Sequence, residues 1–191
     1  MKTKWVIGVD EVGRGPLAGP VTVCAFAVRE SDGKSYKGNF DSKKASAKDR
    51  EELRHVCQAL AKSGRVRFAI SSVRAEVIDR IGITKSVRIC ITRVLRRLEI
   101  EPGNMEVLLD GGLRAPTEYK RQRTVIGGDR RVSLIGVSSM IAKVHRDKHM
   151  TRLALKFPQY AFDKHKGYGT RAHYAALKKH GLSPLHRKSF L

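Results

Sequence analysis

Apolar residues fill both alternating faces of Trp5–Asp10 (WVIGVD), the pattern of a central strand covered on both sides, before Gly13, Gly15 and Pro16 break the chain. A second strand is expected over Val21–Val28. After a polar, glycine-containing loop, Ser46–Lys62 reads as a helix, with Leu53, Val56, Ala59 and Leu60 on one face and Gly64 past its end. Arg67–Val73 predicts a third strand. Ala75–Ile81 and Thr84–Leu98 carry helical periods, the latter placing Val87, Ile91, Val94, Leu95 and Leu98 opposite a stripe of arginines. Met105–Leu109 returns to strand, with a short one over Thr124–Ile126, a long helix over Ser138–Phe157 and a last helix over Thr170–His180, ended by Gly181. Strands first and alternation later predict an α/β fold: a mixed sheet flanked by helices, with a helix-rich C-terminal segment from about residue 137.

The 191 residues suit one domain spanning 1–191. With 41% hydrophobic residues and no long low-complexity tract, global disorder is excluded. Charge changes the picture more: 39 Lys and Arg against 18 Asp and Glu give +21, which self-repels unless the protein works against a polyanion. Nucleic acid is the leading partner. From Tyr119 onward there are 17 basic residues and 3 acidic ones, so the basic character concentrates towards the C-terminus. Ribosomal and membrane-surface proteins share this balance, so charge names a partner class and not a chemistry. No apolar run approaches the roughly 20 residues of a membrane span, and the apolar stretch after the basic start is cut by Asp10 and Glu11, unlike an export signal. Cys24, Cys57 and Cys90 lack close pairing or zinc spacing and are expected as core thiols in a reducing, cytoplasmic compartment.

The chemistry therefore rests on the rare acids. Asp10 and Glu11 stand at the end of a strand that is otherwise apolar, where an uncompensated charge costs several kcal/mol, on the order of that for any unpaired buried ion. Strand neighbours point to opposite faces, so both reach one site only if the strand ends there and the glycine turn swings Glu11 round. Met105–Leu109 also runs into a carboxylate, Asp110, followed by Gly111 and Gly112, and strand ends at one rim are where α/β sheets build sites. Asp129, preceded by Gly127 and Gly128, adds a fourth acid from a loop. Singly, each is explained as a turn former or a salt-bridge partner. Together they suit magnesium or manganese, hard cations that take oxygen ligands, and two such ions about 4 Å apart hydrolyse phosphodiesters without a protein nucleophile.

Other motifs carry less. Gly8–Gly15 has Arg14-Gly15 where a P-loop needs Lys-Ser/Thr, and its two carboxylates would repel phosphate. Gly13-Arg14-Gly15 is either a backbone that approaches a sugar closely or a plain glycine turn. His145 and His149 have zinc-like spacing but no third ligand, and Arg146 stands where a metalloprotease has glutamate, which favours a solvated basic helix face. Ser138-Ser139 is read as packing, since no nucleophile pattern surrounds it. Tyr168, between Gly167 and Gly169, is either a stacking platform for a sugar or base or an exposed loop aromatic.

Six motifs then occur in one order: GVDEVGRGPLAGPV (Gly8–Val21), DSKK (Asp41–Lys44), LLDGG (Leu108–Gly112), GGD (Gly127–Asp129), IAKVHRD (Ile141–Asp147) and HKGYGT (His165–Thr170). The chain resembles type 2 ribonuclease H, ribonuclease HII, from about Val6 to the closing HRKSF at His186–Phe190. The resemblance implies a ribonuclease H-like fold and endonucleolytic cleavage of RNA in RNA/DNA hybrids, including nicks 5′ to single ribonucleotides in duplex DNA that leave 3′-hydroxyl and 5′-phosphate ends. It implies that Asp10, Glu11, Asp110 and Asp129 are the catalytic acids holding Mn2+ or Mg2+, that Gly13, Arg14 and Gly15 sense the ribose 2′-hydroxyl, that Tyr168 reads the adjacent deoxyribose, and that Lys43 grips a phosphate. Val12 replaces the family's usual alanine, and Gly136-Val137-Ser138-Ser139 its alanine-rich run, departures that touch packing near the site. The first core strand starts at about Trp5, unlike ribonuclease HIII with its large N-terminal extension, and no appended clamp-binding domain is expected after the last motif. A monomer is the default for one small domain. The rivals are a noncatalytic basic RNA-binding protein, which leaves the acids unexplained, and a ribonuclease H-like DNA nuclease, which would ignore the 2′-hydroxyl.

Overall fold

The computed structural model describes residues 4–32 and 46–191; Lys43 and the rest of the DSKK motif lie outside the described residues. Five strands form one mixed sheet in the order β3-β2-β1-β4-β5. β1 (Trp5–Val12), β2 (Val21–Arg29) and β3 (Val66–Val73) form an antiparallel meander, and β4 (Met105–Asp110) and β5 (Gln122–Val125) join parallel on the other side of β1. β1 is therefore central, which explains why its sequence is apolar on both faces.

Each face of the sheet is covered by its own helices. On one side Ile7, Val9, Val23 and Leu109 pack with α2 (Ala75–Ile81) and α3 (Ile83–Arg97), whose buried stripe is Val87, Ile91, Val94 and Leu95. On the other, Cys24, Phe26 and Val28 pack with α1 (Ala47–Lys62) and with Leu134, Val137 and Ile141 of α5 (Ser133–Lys156). Ser46 caps α1 as expected, its hydroxyl accepting from Asp49 N–H at 3.1 Å while the Asp49 carboxylate accepts from Ser46 N–H at 2.8 Å. A short α4 (Gly128–Arg131) leads into α5, and a third cluster around Ala18, Met150, Tyr160 and Phe162 seats α6 (Phe162–His165) and α7 (Arg171–His180) at the C-terminal end.

Three elements depart from the sequence expectation by more than one residue at an end. β1 does not stop at Asp10 but continues to Val12, because β2 stays paired with it as far as Val12↔Thr22. α5 begins at Ser133 rather than Ser138, since the small residues at its start mark close contact and not a helix end. A side chain at Gly8 would collide with the Leu134 backbone, and Ser138 Oγ sits 2.8 Å from the Gly8 carbonyl as its donor. β5 covers Gln122–Val125 instead of Thr124–Ile126. Gln122 anchors that start, its side chain accepting from Ala115 N–H at 2.8 Å and donating to the Tyr119 carbonyl at 3.1 Å, while Ile126 lies past the ladder and is exposed.

Candidate active site

Pairing between β1 and β4 stops at Val9↔Leu109, so beyond it the two strands open a crevice at their C-terminal ends. Asp10 projects to the α5 face of β1 and Glu11 to the α3 face, as alternation requires, and both nonetheless line the same cavity of about 500 Å3. No turn swings Glu11 round. The cavity sits at the open edge where the two faces meet, so opposite-facing neighbours reach it from either side. Asp110 enters from the end of β4 and Asp129 from α4, and Gly13, Arg14, Gly15 and Tyr168 line the same cavity. The structure thus brings together every sequence-predicted site residue that it describes.

Local bonds fix this arrangement. Asp110 Oδ1 accepts from Gly128 N–H at 2.6 Å, tying β4 to the loop that carries Asp129. A Cβ at Gly128 would lie 2.6 Å from Ile135 Cδ1 and 3.2 Å from Asp110 Oδ1, so glycine is what lets the two approach. Asp10 is 5% exposed and its Oδ1 accepts from Glu11 N–H at 2.8 Å. Burial pushes the Asp10 carboxyl well above the usual carboxylate range, opposed by the Ser139 hydroxyl and reinforced by Glu11 and Asp110. Burial also raises Glu11, opposed by Arg14, whose Nη1 lies 3.6 Å from Glu11 Oε1, and reinforced by Asp110. Carboxylates that resist ionising beside one another are a set of hard oxygen donors suited to a divalent cation. That chemistry fits, although among the described residues no three acid, histidine or cysteine side chains already stand as a closed ligand cluster.

Sequence reasoning missed two cavity-lining residues. Ser139 is hydrogen-bonded to Asp10 rather than merely packed, and Lys143 reaches the cavity rim while paired to Asp147 Oδ2 at 2.6 Å. Their signal was a run of polar residues, Ser139, Lys143 and Asp147, at four-residue spacing along one face of the helix. His145 is exposed and His149 half-buried, and no third ligand joins them among the described residues. Tyr168 is 42% exposed, with the Arg146 guanidinium carbon 5.9 Å from its ring centre.

A mixed five-stranded sheet with acids at the β1/β4 rim defines a ribonuclease H-like fold, and the solved structures agree. The PCNA:RNase HII complex from Archaeoglobus fulgidus contains a chain matching with TM-score 0.77 and 25% identity, over 96% of this chain and 93% of that one. Bst-RNase HIII, solved in complex with Mn2+, shares the fold at TM-score 0.67 and 19% identity, over 94% of this chain and 63% of that one. Ribonuclease HII of Endomicrobium trichonymphae is 39% identical over 185 residues, covering 97% of this chain and 84% of that protein. The profile of the family described as Ribonuclease HII matches residues 7–191, and the chain belongs to that family. It is accordingly an endoribonuclease, a ribonuclease H acting on RNA/DNA duplexes, which sets aside the noncatalytic RNA-binding reading. No helix among the described residues is long and apolar enough to cross a membrane.

Proposed function

We propose that this ribonuclease H also nicks duplex DNA 5′ to a single embedded ribonucleotide, leaving 3′-hydroxyl and 5′-phosphate ends, and that Asp10, Glu11, Asp110 and Asp129 are its catalytic acids. The observation that carries this reading is one cavity with the four acids and the Gly13-Arg14-Gly15 and Tyr168 loops along its lining. The four carboxylates would hold Mn2+ or Mg2+, a reading supported by their oxygen donor set and by the mutual repulsion within it. A pair of such cations would supply Lewis acidity, activating water and stabilising the departing oxygen.

The chain's own residues then divide binding from chemistry. Ser139 and the Glu11 amide hold the Asp10 carboxylate in place, and Asp110 is held by the Gly128 amide. Gly13, Arg14 and Gly15 would meet the ribose 2′-hydroxyl through backbone groups, and the exposed ring of Tyr168 would pack on the neighbouring deoxyribose, so selectivity would rest on sugar chemistry. Lys43 would add a phosphate contact, and three buried free thiols support work in a reducing, cytoplasmic compartment. Asp10→Asn tests the acid assignment. Cleavage should be abolished while hybrid binding, read by fluorescence anisotropy, is retained, since removing a negative charge does not weaken a phosphate contact. Retained metal-dependent cleavage by the purified variant would overturn it.

A further inference from the structure

Two arginines are wholly buried at the back of the loops just described, and neither lines the catalytic cavity. Arg187, near the C-terminus, donates from Nη2 to the Gly13 carbonyl at 2.6 Å, from Nη1 to the Arg14 carbonyl at 2.9 Å and from Nε to the Gly19 carbonyl at 3.0 Å. Arg146, on α5, donates from Nε to Pro20 O at 2.9 Å, from Nη1 to Lys166 O at 2.9 Å and from Nη2 to Ala18 O at 3.2 Å. Taking a guanidinium out of water this completely is unfavourable, and burial pushes Arg187 down to about 10, with Arg146 adding like-charge repulsion. Stability alone gives no reason to place two such cations side by side.

Peptide geometry supplies one. The N–H of a trans peptide points away from its own C=O. Arg187 holds the Gly13 and Arg14 carbonyls inward, which turns the Arg14 and Gly15 amides outward, and both residues are exposed at the cavity. Among the described residues neither amide has a hydrogen-bond acceptor. Arg146 ties the later part of the same β1–β2 loop, at Ala18 and Pro20, to the carbonyl of Lys166, two residues before Tyr168. A side chain at Gly13, where φ is 83°, would collide with Arg146 Nε, so loop and guanidinium are fitted to each other.

We propose that Arg187, with Arg146 beside it, is a positioning residue that aims the Gly13-Arg14-Gly15 amides at the substrate's ribose, so that selectivity for a ribonucleotide within DNA depends on a buried guanidinium from the far end of the chain. This rests on the sugar-reading role proposed above for that loop. Lysine cannot substitute, because three donors on one nitrogen cannot reach carbonyls that the planar fork of arginine spans.

The test compares wild type with Arg187→Lys on two duplexes, DNA with one ribonucleotide and the same sequence as all DNA, reading by fluorescence anisotropy in chelator the ratio of Kd for the all-DNA duplex to Kd for the ribonucleotide duplex. Lost active protein would weaken both apparent affinities together and leave the ratio unchanged. The ratio should fall about ten-fold, the scale of losing a charge-assisted hydrogen bond. A folded variant whose ratio stays within about two-fold of wild type, below that scale, overturns the inference. If Arg187→Lys does not fold, Asp79→Ala serves: Asp79 accepts from Lys188 N–H at 2.9 Å and Ser189 N–H at 3.0 Å, holding the segment that delivers Arg187. That milder change should lower the same ratio by about two- to five-fold, and an unchanged ratio overturns the inference. Wild type that ignores the single ribonucleotide would instead sink the reading on which this rests.

Discussion

At the scale of single residues, the candidate site was legible where chemistry conflicts with surroundings. Asp10, Glu11 and Asp110 stand out because apolar strands run into them, and Asp129 because the chain around it is basic. Ser139 and Lys143 were not legible as site residues, since their relevance depends on which face of α5 meets the cavity. Arg146 and Arg187 were hidden for another reason: among 39 Lys and Arg, nothing local marks which two are buried. Tyr168 carries a prediction of its own. Aromatic stacking on a nucleotide contributes about 1–3 kcal/mol. Tyr168→Ala should therefore blur the cut position at RNA-to-DNA junctions while hybrid cleavage persists, as read from product lengths on an end-labelled DNA-RNA-DNA duplex. Unchanged junction selectivity would remove the deoxyribose-reading role from Tyr168.

At the scale of elements, most strands and helices were legible because hydrophobic period and caps agreed, as at Ser46 before α1 and Gly181 after α7. The misplaced start of α5 shows the limit: glycine and serine read as a helix boundary until Gly8 of β1 is seen against Leu134. Nor could local pattern reveal how the C-terminal segment is held. Ser183 N–H donates to His186 Nδ1 at 2.9 Å, leaving His186 Nε2 as the donor towards His173 Nε2 at 3.0 Å, and His173 Nδ1 then donates to the Tyr168 carbonyl at 2.9 Å. Both rings are neutral in this chain. Burial and the neighbouring His173 push His186 down to about 4, and burial lowers His173 as well. Below the ordinary histidine value near 6.5, the unfolded chain takes a proton that folded His186 refuses. The stability due to neutral His186 is thus complete above about pH 6.5 and lost as pH falls towards 4, a swing of roughly 3 kcal/mol. Denaturant titrations from pH 7.5 to 4.5 should show a shallower acid loss for His186→Gln than for wild type. Equal slopes would contradict the neutral histidine chain.

At the scale of the whole molecule, a +21 chain places four acids where two strands part and builds up net positive charge from Tyr119 onward, where 17 basic residues stand against 3 acidic ones. That division suits a polyanion that must be bound broadly and cut at one place. The mixed sheet was legible from the order of elements, whereas the convergence of residues 10, 110, 129 and 168 on one cavity required the topology that sets β4 beside β1. The central claim joins that cavity to one reaction, and the direct measurement uses an end-labelled DNA duplex containing one ribonucleotide, an all-DNA control, and Mn2+, Mg2+ or chelator. A single nick 5′ to the ribonucleotide with either metal, absent in chelator and from the control, is the predicted result. Equal cutting of the all-DNA control would contradict it and indicate a DNA nuclease, and binding without any cut in both metals would contradict it as well.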